Sequence, residues 1–259
     1  MKRSEGALLL ALASVAVFVA AEARRAPRRA PAPPAAAADS AKAGDPEGLG
    51  LSHVKRSSLP PPPPHDYPAI QALLVAGKSV TYMDDILAER GNNVARWVDR
   101  RENPITVWIQ PKPPLRGFWP EFRDRARDGF YTWASAGVPL KFLFVDDSSE
   151  AEVRVRWVDR FGDAAAGKTY WARDQNWWIV DADIELAIRR PTGEAYDGIM
   201  VRTIAMHEAG HLIGLDHSSN PNDIMSARVH VMSLSAADLR TAALVYKLPP
   251  GPVTAPRAP

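Results

Sequence analysis

His207 and His211 stand four residues apart, Glu208 follows the first of them directly, and His217 comes six residues after the second. On an α-helix, residues i and i+4 lie one turn above each other on the same face, so these two imidazoles can reach one cation. Zinc–nitrogen bonds of about 2.0–2.1 Å set the reach they need. Glu208 can meet a water at that cation without ligating it. His217 cannot join while the helix continues, because it would lie about 15 Å farther along the axis than His207. The chain must stop and double back there. Gly214 is placed to allow this, since glycine enters left-handed backbone conformations at little cost. Three neutral imidazoles would leave zinc its full charge and an open fourth position for water, whose pKa falls toward about 7. Glu208 is then the expected general base, taking a proton from that water.

The elements that must position these groups follow from the apolar spacing. A long helix is predicted from about Gly198 to Gly214, and a closing helix from Ser235 to Lys247, with Ser235 and Asp238 at capping spacing. An earlier helix is predicted from about Phe118 to Ala136, with Trp119, Phe122, Ala126, Phe130 and Trp133 on its apolar face. Strands are predicted at Ile105–Ile109, Leu140–Val145, Glu152–Val158 and Trp178–Leu186, with a short edge strand at Thr169–Trp171. Strands alternating with helices give an α/β layering.

The stretch from His207 to Ser218 resembles the zinc signature of the metzincin metallopeptidases, and Ser218 directly after the third histidine looks like the matrixin branch. Asp223-Ile224-Met225-Ser226 falls where that family has its Met-turn, which would put Met225 beneath the metal. The resemblance covers about Pro104 to Leu248. It implies a zinc endopeptidase with a mixed five-stranded twisted sheet and an antiparallel edge strand that binds substrate as an added strand. Here that strand is Thr169, Tyr170 and Trp171, acting through their backbone, with sheet packing as the other role for Tyr170 and Trp171. Thr203 would help shape the pocket for the residue after the scissile bond, or simply pack within its helix. One zinc is expected, because His53, His65 and His230 do not fall where the family holds a second one. Calcium at Asp181, Asp183 and Glu185 is an option beside their role as solvated strand-face charges. The family's propeptide cysteine has no counterpart in this chain, which contains no cysteine at all. Where the family's closing helix has paired aspartates, this chain has Ala237 and Asp238; Asp238 is expected to brace the Met-turn.

Two other zinc chemistries compete. A thermolysin-like site needs a downstream glutamate, and Glu208 is the last glutamate in the chain. Asp216 or Asp223 could replace it as a carboxylate ligand. A zinc kept only for structure would ordinarily have four protein ligands and no use for Glu208.

The whole chain sets the remaining bounds. Its 259 residues, 46% of them apolar, suffice for a real core. A formal charge of +2, without a basic stripe interleaved with aromatics, argues against nucleic acid as a partner. The absence of cysteine excludes disulfides, thiolate ligands and a cysteine nucleophile. Lys2 and Arg3 precede an uncharged run from Ala7 to Ala21, which suits a signal peptide cleaved after Ala23 and is short for a bilayer span. Export is expected, with an uncleaved anchor as the alternative, since Arg24, Arg25, Arg28 and Arg29 resist translocation. Residues 24–64 carry ten prolines and are expected to be a disordered linker. In residues 65–101, a helical pre-region or prosegment, Ile70, Leu73, Leu74, Ile86, Leu87, Val94 and Trp97 suggest short amphipathic helices. The catalytic domain is expected over 102–248 and a disordered tail over 249–259. A monomer acting on protein or peptide substrates is the expected working form.

Overall fold

Five strands form one sheet in the computed structural model, which describes residues 54–255 together with the backbone of Val17–Phe18. They are β1 (Arg100–Ile109), β2 (Leu140–Val145), β3 (Val153–Val158), β4 (Gly167–Arg173) and β5 (Ile179–Ala187), in the order β2-β1-β3-β5-β4. β1 pairs in parallel with β2 and β3, β3 in parallel with β5, and β4 closes one edge antiparallel to β5. This is the mixed α/β sheet with an antiparallel edge that the sequence leads one to expect. Alternation is the reason for its two unlike faces. Val153, Val155 and Trp157 on β3 are buried, as are Ile105, Val107 and Ile109 on β1, whereas Arg154 and Arg156 point the other way.

The helices are α1 (Tyr67–Gly77), α2 (Met83–Glu89), α3 (Glu121–Ala134), α4 (Gly198–Leu212) and α5 (Ala236–Lys247). α3 buries Phe122, Ala126, Phe130 and Trp133. It lies directly against α4, because Gly129 has no side chain: a methyl there would fall 2.7 Å from the backbone nitrogen of Met206. Trp133 Nε1 donates to Met206 O at 2.7 Å and locks the two helices in register. α4 is buried along nearly its whole length, as befits the central helix of the molecule. Asp197 caps its start by accepting from Met200 N.

Several expectations need correcting. Trp119 is exposed and precedes α3, which begins only after Pro120. Val94 and Trp97 are not helical: Asn93–Val94 pair antiparallel with Gly251–Pro252, and Arg96 bridges to Trp178. Both Val94 and Trp97 are in the core, so the folded body starts well before residue 102. The expected tail is ordered as far as residue 255, with Val253 buried. The expected linker is laid against the sheet from Val54 onward, where Lys55 N donates to Arg173 O and Trp178 Nε1 donates to Pro60 O. Apart from Val17–Phe18, which pair with Arg228–Val229, the signal segment and the linker up to residue 53 lie outside the described residues.

The acidic stripe on β5 has partners that are not metal ions. Arg154 holds both oxygens of Asp181 at 3.0 Å, Lys55 approaches the same carboxylate at 3.2 Å, and Arg156 pairs with Asp183 at 2.5 Å. Glu185 lies opposite Lys168 across the β4–β5 pair. With arginines taking the carboxylate oxygens, calcium at these residues is not supported.

Candidate metal centre

α4 ends where the sequence requires it to end. Gly214 takes φ +102°, the left-handed region that glycine tolerates. Gly214 N donates to His211 O and Leu215 N donates to Gly210 O, both at 3.0 Å, which is the paired bonding of a Schellman motif. There is a second reason for glycine: a methyl group here would fall 2.4 Å from Ala95 O. The reversal carries His217 back to the other two imidazoles. The side-chain nitrogens of His207, His211 and His217 lie within 4.8 Å of one another, a group able to hold one metal ion.

The ring orientations fit a cation. His207 Nδ1 donates to Ile224 O at 2.7 Å, and His211 Nδ1 donates to Leu215 O at 3.1 Å. Those two bonds put the ring protons on the Nδ1 side and leave both Nε2 lone pairs facing each other, 3.1 Å apart. Two lone pairs at that distance repel unless a positive charge lies between them. His217 Nε2 is buried with no protein partner. Burial holds His207 down to about 3 and His217 to about 4, and also keeps His211 well below its ordinary value, so all three rings are neutral near pH 7. Neutral imidazole is the form that binds zinc.

Glu208 is walled in by the edge strand. Thr169 Oγ1 donates to Glu208 Oε2 at 2.7 Å, while Oε1 is buried with no partner in the protein. A methyl at Gly167 would fall 2.4 Å from Oε1, so only glycine leaves room for the carboxylate. Burial pushes the acid up to about 8, opposed by the Thr169 hydrogen bond and by Lys168. A cation at the three imidazoles would pull it back toward ionisation.

Met225 is fully buried beneath α4, and a methyl at Gly210, between the two helical histidines, would fall 2.2 Å from its sulfur. The loop carrying it is fastened at both ends: Ser218 N donates to Met225 O, and Ser218 Oγ donates to Asp223 at 2.6 Å. Asp238 braces the turn from α5. Its Oδ2 accepts from Ile224 N at 2.9 Å and from Ser235 N at 2.8 Å, and its Oδ1 accepts from Tyr82 OH at 3.1 Å. Asp216 and Asp223 are engaged elsewhere, Asp216 with Arg90 and Asp223 with Ser218, which leaves neither as a carboxylate ligand.

The residues expected along the substrate cleft divide. β4 is an edge strand, and Tyr170 is 40% exposed on it. The Trp171 side chain is buried under the sheet, which leaves only its backbone for a substrate. Thr203 is 1% exposed and its hydroxyl donates to Ile199 O within α4, so it packs in the helix instead of lining a pocket. His230 is exposed in the loop past Met225. Sequence reasoning missed Gly167, Gly210 and the hydroxyl of Thr169. A glycine inside a helix or a strand is itself a signal of close approach. Nothing in the sequence singles out the threonine.

Known proteins resemble part of this chain. Human matrix metalloproteinase-15 is 25% identical over 164 residues, which cover 51% of this chain and 23% of that protein. The chain thus spans about a quarter of the length of that curated relative. Two solved structures of myroilysin align at TM-scores of 0.38 and 0.39, with 15% and 16% identity, over 60% and 61% of this chain and 91% and 85% of theirs. The family model for the matrixins, peptidase family M10, matches residues 96–247, which contain all three histidines, Glu208 and Met225. The chain belongs to the matrixin family.

Proposed function

We propose that this chain is an exported zinc endopeptidase, with His207, His211 and His217 as the ligands and Glu208 as the general base. The observation that carries the reading is the convergence of three neutral imidazoles beside a buried carboxylate oxygen that no protein group satisfies. Zinc bound there supplies Lewis acidity, which polarises a carbonyl and makes water acidic near neutral pH. The chain's own residues do the rest. Thr169 holds one oxygen of Glu208, so the other is left to accept the proton of an attacking water and then deliver it to the departing amine nitrogen. The open edge of β4 at Thr169–Trp171 would receive an extended substrate by backbone pairing, with Tyr170 flanking it. Among the described residues, no helix is long and apolar enough to cross a membrane.

The test is cleavage of unfolded casein with and without a chelator, for the parent and for Glu208→Gln. The parent should cleave, should lose activity to the chelator, and should regain it with zinc. The Gln variant should keep zinc and lose about 10²–10⁴-fold in kcat. Equal cleavage by the Gln variant would remove Glu208 from its role, and zinc uptake without any cleavage by the parent would favour a structural metal.

A further inference from the structure

The segment ahead of the sheet reaches into the turn that sets the third histidine. Arg90, at the C-terminal end of α2, is 4% exposed. Its Nη1 donates to Gly214 O at 2.9 Å and its Nη2 to Leu215 O at 3.1 Å. Its Nε lies 2.5 Å from Asp216 Oδ2, with both side chains 2% exposed. The guanidinium stacks over the Trp171 ring, 5.2 Å from its centroid, and so ties the turn to the edge strand as well. One side chain thus fastens three consecutive residues, 214 to 216, immediately before His217. Leu215 O is shared: it accepts from Arg90 and from His211 Nδ1. A single buried cation therefore acts on two of the three imidazoles, on His211 through that carbonyl and on His217 through the backbone of Asp216.

A buried arginine is costly unless it is paired and hydrogen-bonded; Arg90 has the Asp216 carboxylate as its counter-ion and two carbonyls as acceptors, more than a plain helix end would need. Trp97 Nε1 already caps Leu212 O at 2.9 Å, and Tyr246 OH caps Ile213 O at 3.0 Å. Arg90 takes the next two carbonyls, which belong to the reversal itself.

We infer that Arg90 is a positioning residue of the metal centre, fixing His211 and His217 through the 214–216 turn, so that residues 82–97 belong to the working metal site. The inference rests on the zinc reading above. The full-length chain carrying Arg90→Met or Arg90→Lys is compared with the parent in three measurements: zinc affinity by chelator competition, the visible spectrum after cobalt replaces zinc, and the melting of the metal-free protein. Arg90→Met should bind zinc about 10–100-fold more weakly, the usual consequence of losing a group that orients a ligand, and its cobalt spectrum should change. Arg90→Lys should fall between, since lysine keeps its charge toward Asp216 but cannot fork to two carbonyls. At saturating zinc, kcat should drop while KM changes little.

A role in folding alone would lower the melting temperature of the metal-free chain while leaving zinc affinity and the cobalt spectrum at parental values; that result overturns the inference. If Arg90→Met does not fold, Arg90→Lys decides by the same measurements, and parental zinc affinity in it is equally fatal. A parent that takes up no zinc would overturn the zinc reading along with it, an outcome distinct from variants that bind like the parent.

Discussion

Glu208 sits in a slot whose walls are backbone at Gly167 and a hydroxyl at Thr169, and those walls determine what its carboxylate can do. The hydroxyl engages one oxygen and leaves the other buried without a protein partner, and that free oxygen is the one proposed to take the proton. Thr169→Val keeps the shape of the side chain and removes the donor. It should lower kcat by about tenfold, the kinetic equivalent of one hydrogen bond of about 1.5 kcal/mol, with zinc affinity unchanged. Steady-state kinetics alongside a zinc titration checks it; a fall in zinc affinity instead would mean that Thr169 supports the metal and not the base. At this scale the histidines and Glu208 were legible, because helical spacing alone stacks His207 over His211. Thr169 was legible only as strand backbone. That its hydroxyl meets Glu208 depends on β4 and α4 being neighbours, which no local pattern encodes.

The turn after α4 has to be tight, left-handed and pressed against another backbone at once. Gly214 meets all three demands, by its φ of +102° and by its approach to Ala95 O. Gly214→Ala must therefore strain the backbone and displace residue 95. The strain alone is on the order of 1–3 kcal/mol. The measurable result should be a lower melting temperature together with weaker zinc binding, read by calorimetry with and without metal. A variant as stable and as metal-avid as the parent would show that the turn is not under this constraint. The left-handed glycine was foreseeable, because a third ligand six residues beyond His211 demands a reversal. The contact with Ala95 was not, because residues 94–97 look helical by spacing. Their burial in extended form comes from pairing with Gly251–Pro252 and Trp178, contacts distant in the chain.

At the scale of the whole molecule, the boundary between pre-region and catalytic body dissolves. Tyr82 bonds to Asp238 and Thr241 on α5, Trp97 caps α4, Asp85 accepts from Ser219 N beside the third histidine, and Arg90 holds the turn. A chain shortened to begin at Asn103 would lose all four and leave Asp238 and the α4 carbonyls short of partners, at about 1–3 kcal/mol for each buried group left unsatisfied. It should unfold without a cooperative transition, whereas a chain beginning at Val54 should melt as a unit; circular dichroism on the two distinguishes them. The strands and the α/β layering were largely legible, since alternation and strand–helix succession mark them. The mixed sheet and its antiparallel edge were implied only by the family resemblance, and the strand order was not predicted. The part played by residues 82–97 was not. Its apolar residues announce burial without saying against what, and the arginine carries no periodic signal at all.

The most direct test of the metal centre is X-ray absorption at the zinc edge on the purified chain with its metal counted. One zinc per chain is expected, with three imidazole nitrogens at about 2.0–2.1 Å. A chain that holds less than one equivalent, or a zinc ringed by fewer than three imidazoles, would contradict it.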